Sequence, residues 1–146
     1  MPHPKIAYCL VCEDIRPEQG NKLTILGLYG VLPGGPLGVN IVLPQWNAPL
    51  KLMFVVGMSN GSVMARPRIL NADDSPLVEG ESTQIAGAED AEGLIFGFGF
   101  MPVVFMNPGQ HFFQLLFDER EAVKYPFTVS HGPVRTFSPS ASPSPS

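Results

Sequence analysis

Excess positive charge is missing from this sequence. Charged residues make up 15% of the 146 residues, the formal net charge is -4 and the isoelectric point is near 5.2. Proteins that bind the nucleic-acid backbone usually do so through clustered Lys and Arg side chains. The composition therefore argues against nucleic acid as a partner.

Long apolar runs are also absent. No segment approaches the roughly 20 apolar residues that a membrane-spanning helix needs. The first residues do not combine a basic region, an apolar stretch and a small-residue cleavage site. We therefore expect a soluble protein that stays in the cytoplasm and has no membrane partner.

Cysteine is scarce, because Cys9 and Cys12 are the only two. Two cysteines are too few for a secreted disulfide framework. Positions three apart in a strand point to opposite faces, which disfavours a disulfide or a shared metal ion. A single Cys-x-x-Cys without a second pair of ligands is weak evidence for zinc. We predict two buried structural thiols and no metal site.

Catalytic motifs are missing as well. No serine lies in a Gly-x-Ser-x-Gly elbow, and no spacing links one of the three histidines to a nucleophile. The acidic residues at 73–81 and 89–92 do not follow the EF-hand pattern. The sequence thus predicts no catalytic residue and no cofactor, and a hydrolase without a recognisable motif is the weakest alternative.

Proline and glycine, by contrast, are abundant. The 16 Pro and 15 Gly residues interrupt each candidate segment before it reaches helical length. Short segments of alternating polarity remain, which predict an all-β fold of about eight strands with little or no helix. This pattern favours a two-sheet antiparallel β-sandwich. We place a lead at residues 1–4, one domain at 5–131 and a disordered Ser/Pro-rich tail at 132–146.

Two aromatic segments, residues 94–101 and 110–117, carry most of the predicted core. Phenylalanine occupies alternate positions in the first segment, so these rings share one face of a strand. We predict that the two segments form an antiparallel hairpin with one buried face. The predicted core residues are Phe96, Phe98, Phe100, Phe113, Leu115 and Phe117.

Two stretches resemble known families. The Pro-Gly turn at residues 108–109 and the Pro-Phe-x-Val pattern at 126–129 resemble the closing hairpin of immunoglobulin-like sandwich domains, with His111 where those domains often have Tyr. The opening, with Cys-x-Asp at 12–14 and Lys-Leu-x-x-x-Gly at 22–27, resembles an uncharacterised family of small bacterial all-β proteins. Both resemblances imply a β-sandwich, and neither implies an activity.

These observations favour a non-enzymatic binding or assembly module. Phe112 and Leu116 lie on the half-buried face of their strand, and Gly97 and Gly99 offer a flat surface to another backbone. We predict that these four residues contact an unknown protein partner or a second copy of the chain. The alternative is a carbohydrate-binding module, whose ligand-binding candidates are Trp46, Asn47 and Gln45.

Overall fold

The computed structural model describes residues 3–20, 22–34, 38–43 and 48–132. Within these ranges the chain forms ten β-strands and no helix, which confirms the all-β class with two strands more than predicted. The strands are β1 (Ile6–Glu18), β2 (Lys22–Leu32), β3 (Asn40–Leu43), β4 (Leu50–Ser59), β5 (Ser62–Leu70), β6 (Pro76–Glu79), β7 (Thr83–Ala86), β8 (Gly93–Val103), β9 (Gly109–Phe117) and β10 (Arg120–His131). The carbohydrate-site candidates Trp46, Asn47 and Gln45, and the tail from residue 133 onward, lie outside the described residues.

The strands pair into two sheets that pack face to face. Sheet A has the order β2-β1-β4-β8, and sheet B has the order β3-β10-β9-β5-β6, with β7 also paired to β5. The paired strands run antiparallel except β3 and β10, which are parallel. The predicted two-sheet sandwich is therefore confirmed. In the part of the chain that the structure describes, no helix is long and apolar enough to cross a membrane.

Alternation along the strands turns one apolar face of each sheet toward the core. Phe54 of β4 lies at the centre of this core. Its ring stacks on Phe113 of sheet B with 4.1 Å between ring centroids, and it meets Phe100 edge-on at 5.9 Å. Five of the six predicted core residues are buried, and Phe96 is half-buried. The aromatic side chains therefore join the two sheets.

The predicted hairpin between the two aromatic segments is wrong. β8 belongs to sheet A and pairs with β4, whereas β9 lies in sheet B between β5 and β10. Residues 104–108 connect one sheet to the other and bury Phe105 against the His111 ring, with 4.9 Å between ring centroids. The Phe98 and Phe113 rings face each other across the core at 6.5 Å. The alternation of apolar residues identifies the buried face of a strand. It does not show whether two such strands pair within one sheet or face each other from two sheets.

β1 extends through the polar residues 13–18, although a polar stretch of this kind is more typical of a turn. This second half pairs with β2 alone, since the pairing with β4 ends at Cys12. The Cδ1 atom of Ile15 lies 2.8 Å from the position that a Cβ atom on Gly97 would take, although β8 is two strands away from β1. Residues 13–18 and 22–28, called the arm below, therefore bend across the outer face of sheet A.

Candidate functional site

The four residues predicted to contact a partner lie on opposite outer faces of the sandwich. Phe112 and Leu116 alternate with core residues of β9 and point out of sheet B. Gly97 and Gly99 alternate with core residues of β8 on the outer face of sheet A. The structure therefore does not bring the four residues together into one patch.

A layer of charged and polar side chains covers the outer face of sheet B. Arg68 Nε donates to Gln114 Oε1 at 2.8 Å, and Arg66 pairs with Glu119 at 2.7 Å. Both arginines also pair with Glu79. Hydrogen bonds from Arg68 to Glu79 and from Arg66 to Glu119 lower the pKa of both carboxyl groups. The layer therefore remains ionised at neutral pH.

This layer limits access to Phe112 and Leu116. Leu116 is 6% exposed and lies opposite Arg66 in the strand register. Phe112 is half-buried, and the Lys124 Nζ atom lies 4.4 Å from the centre of its ring. These ion pairs and the Lys124 contact restrict access to Phe112 and Leu116, and partner contact through these two residues stays a prediction.

The outer face of sheet A, by contrast, is apolar and accessible. Ile95 and Met101 of β8 are 56% and 75% exposed, and Val31 of β2 is 47% exposed. Val31 lies opposite Leu10 of β1, which alternates with core residues and also points outward. Single exposed apolar residues are ordinary, but a group of them on one face is typical of a contact surface.

Gly97 and Gly99 lie on this apolar face of β8. Gly97 is covered by the chain itself, since Ile15 Cδ1 and Met53 Sδ lie 2.8 and 3.2 Å from a Cβ atom placed there. Gly99 is exposed, and only the Met53 side chain lies near it. The surface open to another backbone is therefore the part of β8 around Gly99 and Met101.

β8 is also one of the two edge strands of sheet A, the other being β2. Among the described residues it pairs with β4 alone, so the backbone groups along its other side have no strand partner. The strand is 11 residues long and contains no charged residue. Natural edge strands are usually short or carry charges that prevent pairing with other chains. The edge strands β3, β6 and β7 of sheet B have 4 residues each, so β8 offers a longer edge than they do, although Pro102 near its end has no N–H group to pair.

Sheet B extends one strand position beyond β8. At the opposite edge of the sandwich, β2 of sheet A lies over the start of β3 of sheet B. The contact that places them is between Gly30 of β2 and Val39, the residue immediately before β3. Beyond β8, a groove of about 470 Å³ opens between this strand and the β6–β7 connection, and Gly80 and Thr83 line its far side. The groove occupies the place that a fifth strand of sheet A would take.

Comparison with known families identifies the domain as a whole. Residues 7–130 match the model of a family described as a family of unknown function (DUF6941). The chain belongs to the DUF6941 family. The match runs from β1 to β10 and confirms the predicted membership of an uncharacterised family. Membership of DUF6941 assigns the domain but no activity.

Comparison with individual proteins adds little for this DUF6941 member. No curated protein matches the chain. Among solved structures, it is similar to the Pseudomonas fluorescens alkylpurine DNA glycosylase AlkC bound to DNA containing an abasic site analog, with a TM-score of 0.37 and 9% sequence identity. The similarity covers 62% of this chain and 27% of the glycosylase chain, so this chain spans little more than a quarter of that protein.

The thiols and the buried histidine of this DUF6941 domain do not form a reactive site. Cys9 and Cys12 are free and buried, and they lie on opposite faces of β1, since Cys9 joins the core and Cys12 lies opposite Met53. Burial raises the pKa of Cys9 to about 12 and also raises the pKa of Cys12, so both thiols stay protonated at neutral pH. Burial lowers the pKa of His111. Within the described ranges, no group of three or more His, Cys, Asp or Glu side chains is placed to hold a metal ion.

Proposed function

We propose that this protein is a non-enzymatic binding module that contacts a partner protein by adding an extended segment of the partner to β8. The observation that carries the proposal is the long, charge-free edge of β8 beside an open groove. Unpaired N–H and C=O groups along a sheet edge bind another strand through backbone hydrogen bonds, while alternate side chains provide specificity.

The groove favours one extended segment over a second sandwich. Sheet B already lies beneath the position next to β8, so the second sheet of another sandwich has no room there. Gly99 carries no side chain that would hold an added strand away from β8, and the exposed Met101 provides apolar contact beside it. We expect a partner segment in which apolar and polar residues alternate.

A synthetic peptide tests this mode of binding. The probe is a nine-residue peptide that alternates valine and threonine between terminal lysines, added to 15N-labelled protein. We expect saturable chemical-shift changes in β8 and in residues 80–83, because the peptide backbone pairs with the free edge. A fully N-methylated peptide keeps the same side chains but has no N–H donors, and it should cause no such changes. Equal changes with both peptides, or none with either, would overturn the proposal.

Two substitutions of the same type locate the contact on the chain. Met101→Lys places a charge on β8, whereas Met106→Lys places it at another exposed methionine beyond the strand. We expect Met101→Lys to weaken peptide binding about tenfold, which corresponds to about 1.4 kcal/mol, and Met106→Lys to leave it unchanged. Sedimentation of the same proteins tests for self-association, and a dimer that only Met101→Lys dissociates would identify a second copy as the partner.

The proposal also includes a fold relationship and a cellular location. An immunoglobulin-like relationship is supported by the β9–β10 hairpin, which carries the Pro-Gly turn and the Pro-Phe-x-Val pattern. A cytoplasmic location is supported by Cys9 and Cys12, which are free thiols. The partner would then be another cytoplasmic protein.

A further inference from the structure

A second and larger groove lies between the arm and the outer face of sheet A. Its volume is about 1210 Å³, which exceeds the range of about 300–1,000 Å³ that is usual for small-molecule sites. The apolar residues that line it include Tyr8, Leu10, Leu23, Ile25, Val55 and Ile95. Tyr8, Leu23 and Ile95 are each more than one third exposed, so apolar surface remains for a ligand to cover.

Two lysines without an ion-pair partner line the same groove. Of the four lysines in the chain, Lys51 and Lys124 each pair with an aspartate. Lys5 and Lys22 form no ion pair with any described residue, and both line the groove. The two lysines whose charge is available for a ligand are therefore found at one site.

Glu18, the acidic residue in the lining, lies opposite Lys22 in the strand register and already accepts hydrogen bonds from two other side chains. Arg16 Nε donates to Glu18 Oε1 at 2.7 Å, and the Thr24 hydroxyl donates to the same oxygen at 3.0 Å. The groove thus combines an apolar interior with two ammonium groups, on a protein whose net charge is -4. A complementary ligand has one anionic head group and a long apolar chain.

We propose that this groove binds a free long-chain carboxylate, with the alkyl chain between the arm and sheet A and the carboxylate at Lys5 and Lys22. Ammonium and carboxylate groups form charge-assisted hydrogen bonds, and the chain removes the exposed apolar side chains from water. A carbohydrate fits less well, because aliphatic and aromatic side chains dominate the lining. The site goes beyond the proposed partner binding, since neither lysine lies on β8.

Calorimetric titration of the full chain with dodecanoate, kept below its micelle concentration, tests this site. We expect saturable binding of one dodecanoate per chain. Dodecyltrimethylammonium has the same alkyl chain and a cationic head group, and it should bind at least tenfold more weakly. Equal binding of the two amphiphiles, or no binding of dodecanoate, would overturn the proposal.

Matched double variants test the assigned residues. Lys5→Gln with Lys22→Gln removes both groove charges, whereas Arg120→Gln with Lys124→Gln removes two charges from β10 in the other sheet. We expect the dissociation constant for dodecanoate to rise about tenfold in the first variant and to stay within about threefold of the unmodified value in the second. Equal weakening in both variants would overturn the assignment. The peptide experiment on β8 does not involve Lys5 or Lys22, so the two proposals succeed or fail separately.

Discussion

His111 is the buried histidine among the described residues. Its Nδ1 atom donates to the Gly109 carbonyl oxygen at 3.1 Å, and its ring meets Phe105 edge-on. Desolvation lowers its pKa more than the hydrogen bond to Gly109 raises it. His111 is therefore a neutral histidine of the core at neutral pH.

This burial predicts that the protein loses stability in mild acid. Below the ordinary histidine pKa of about 6.5, the unfolded chain takes up a proton that the folded state resists. The free energy of unfolding therefore falls until the pH reaches the lower folded-state pKa, by at most about 1.4 kcal/mol per pH unit. In urea unfolding between pH 5 and 7, His111→Phe should remove this contribution, and His131→Gln, at an exposed histidine, should retain it. An unchanged pH dependence in His111→Phe would contradict the assignment.

Sequence alternation predicts on which face a residue lies, but not whether that face is accessible. Ile95 and Met101 share a face with Gly97 in the sequence pattern, and the structure places them so. The cover over Gly97 comes from Ile15, which is distant in the chain. The cover over Leu116 likewise comes from arginines on β5. Such long-range contacts leave no local signal in the sequence.

Among the elements, the arm contacts sheet A through Ile15 and through the ion pair of Asp14 with Lys51 of β4. Ile15 contacts the Gly97 region of β8, whereas Leu26 lies on the opposite face of the arm and is 40% exposed. Ile15→Ala should therefore make local opening of the arm easier by about 1 to 2 kcal/mol. Amide hydrogen exchange in residues 13–18 and 22–28 should accelerate by about tenfold or more, while β9 should be unaffected.

Leu26→Ala provides the control for the arm. It removes an aliphatic side chain from the same element but from the opposite face of the arm, where Leu26 is 40% exposed. We expect a much smaller change in its hydrogen exchange, because Leu26 does not contact the Gly97 region of β8. Equal acceleration by Ile15→Ala and Leu26→Ala would mean that the arm is not docked through Ile15.

Strands joined by tight turns could be predicted from the sequence, whereas the packing of strands from different sheets across the core could not. The turn residues of the β5–β6 hairpin around residues 71–75 and of the β9–β10 hairpin at Asp118 are visible in the sequence, since turn signals are local. The polar residues 13–18 resemble a turn in composition, because a strand that leaves its sheet does not show the alternation of a core strand. The β8–β9 hairpin was predicted wrongly because both strands contribute aromatic rings to one core, although they lie in different sheets.

Over the whole molecule, the two outer faces differ in polarity. The outer face of sheet B carries the Arg66 and Arg68 ion pairs, whereas the outer face of sheet A exposes Ile95 and Met101 beside the free edge of β8. Burial of apolar surface favours association, while ionised side chains that already have partners gain little from it. Both proposed binding sites therefore lie on sheet A.

The shared core predicts that the two sheets unfold together. Phe54→Ala removes a fully buried ring that stacks on Phe113 and meets Phe100, and it should lower the free energy of unfolding by about 3 to 5 kcal/mol. Phe112→Ala truncates a half-buried ring on the outer face of sheet B and should cost only about 1 to 2 kcal/mol. Urea unfolding followed by circular dichroism and fluorescence should show one coincident transition in both variants. Two separated transitions in Phe54→Ala would show that each sheet is stable without the other, contrary to a single core.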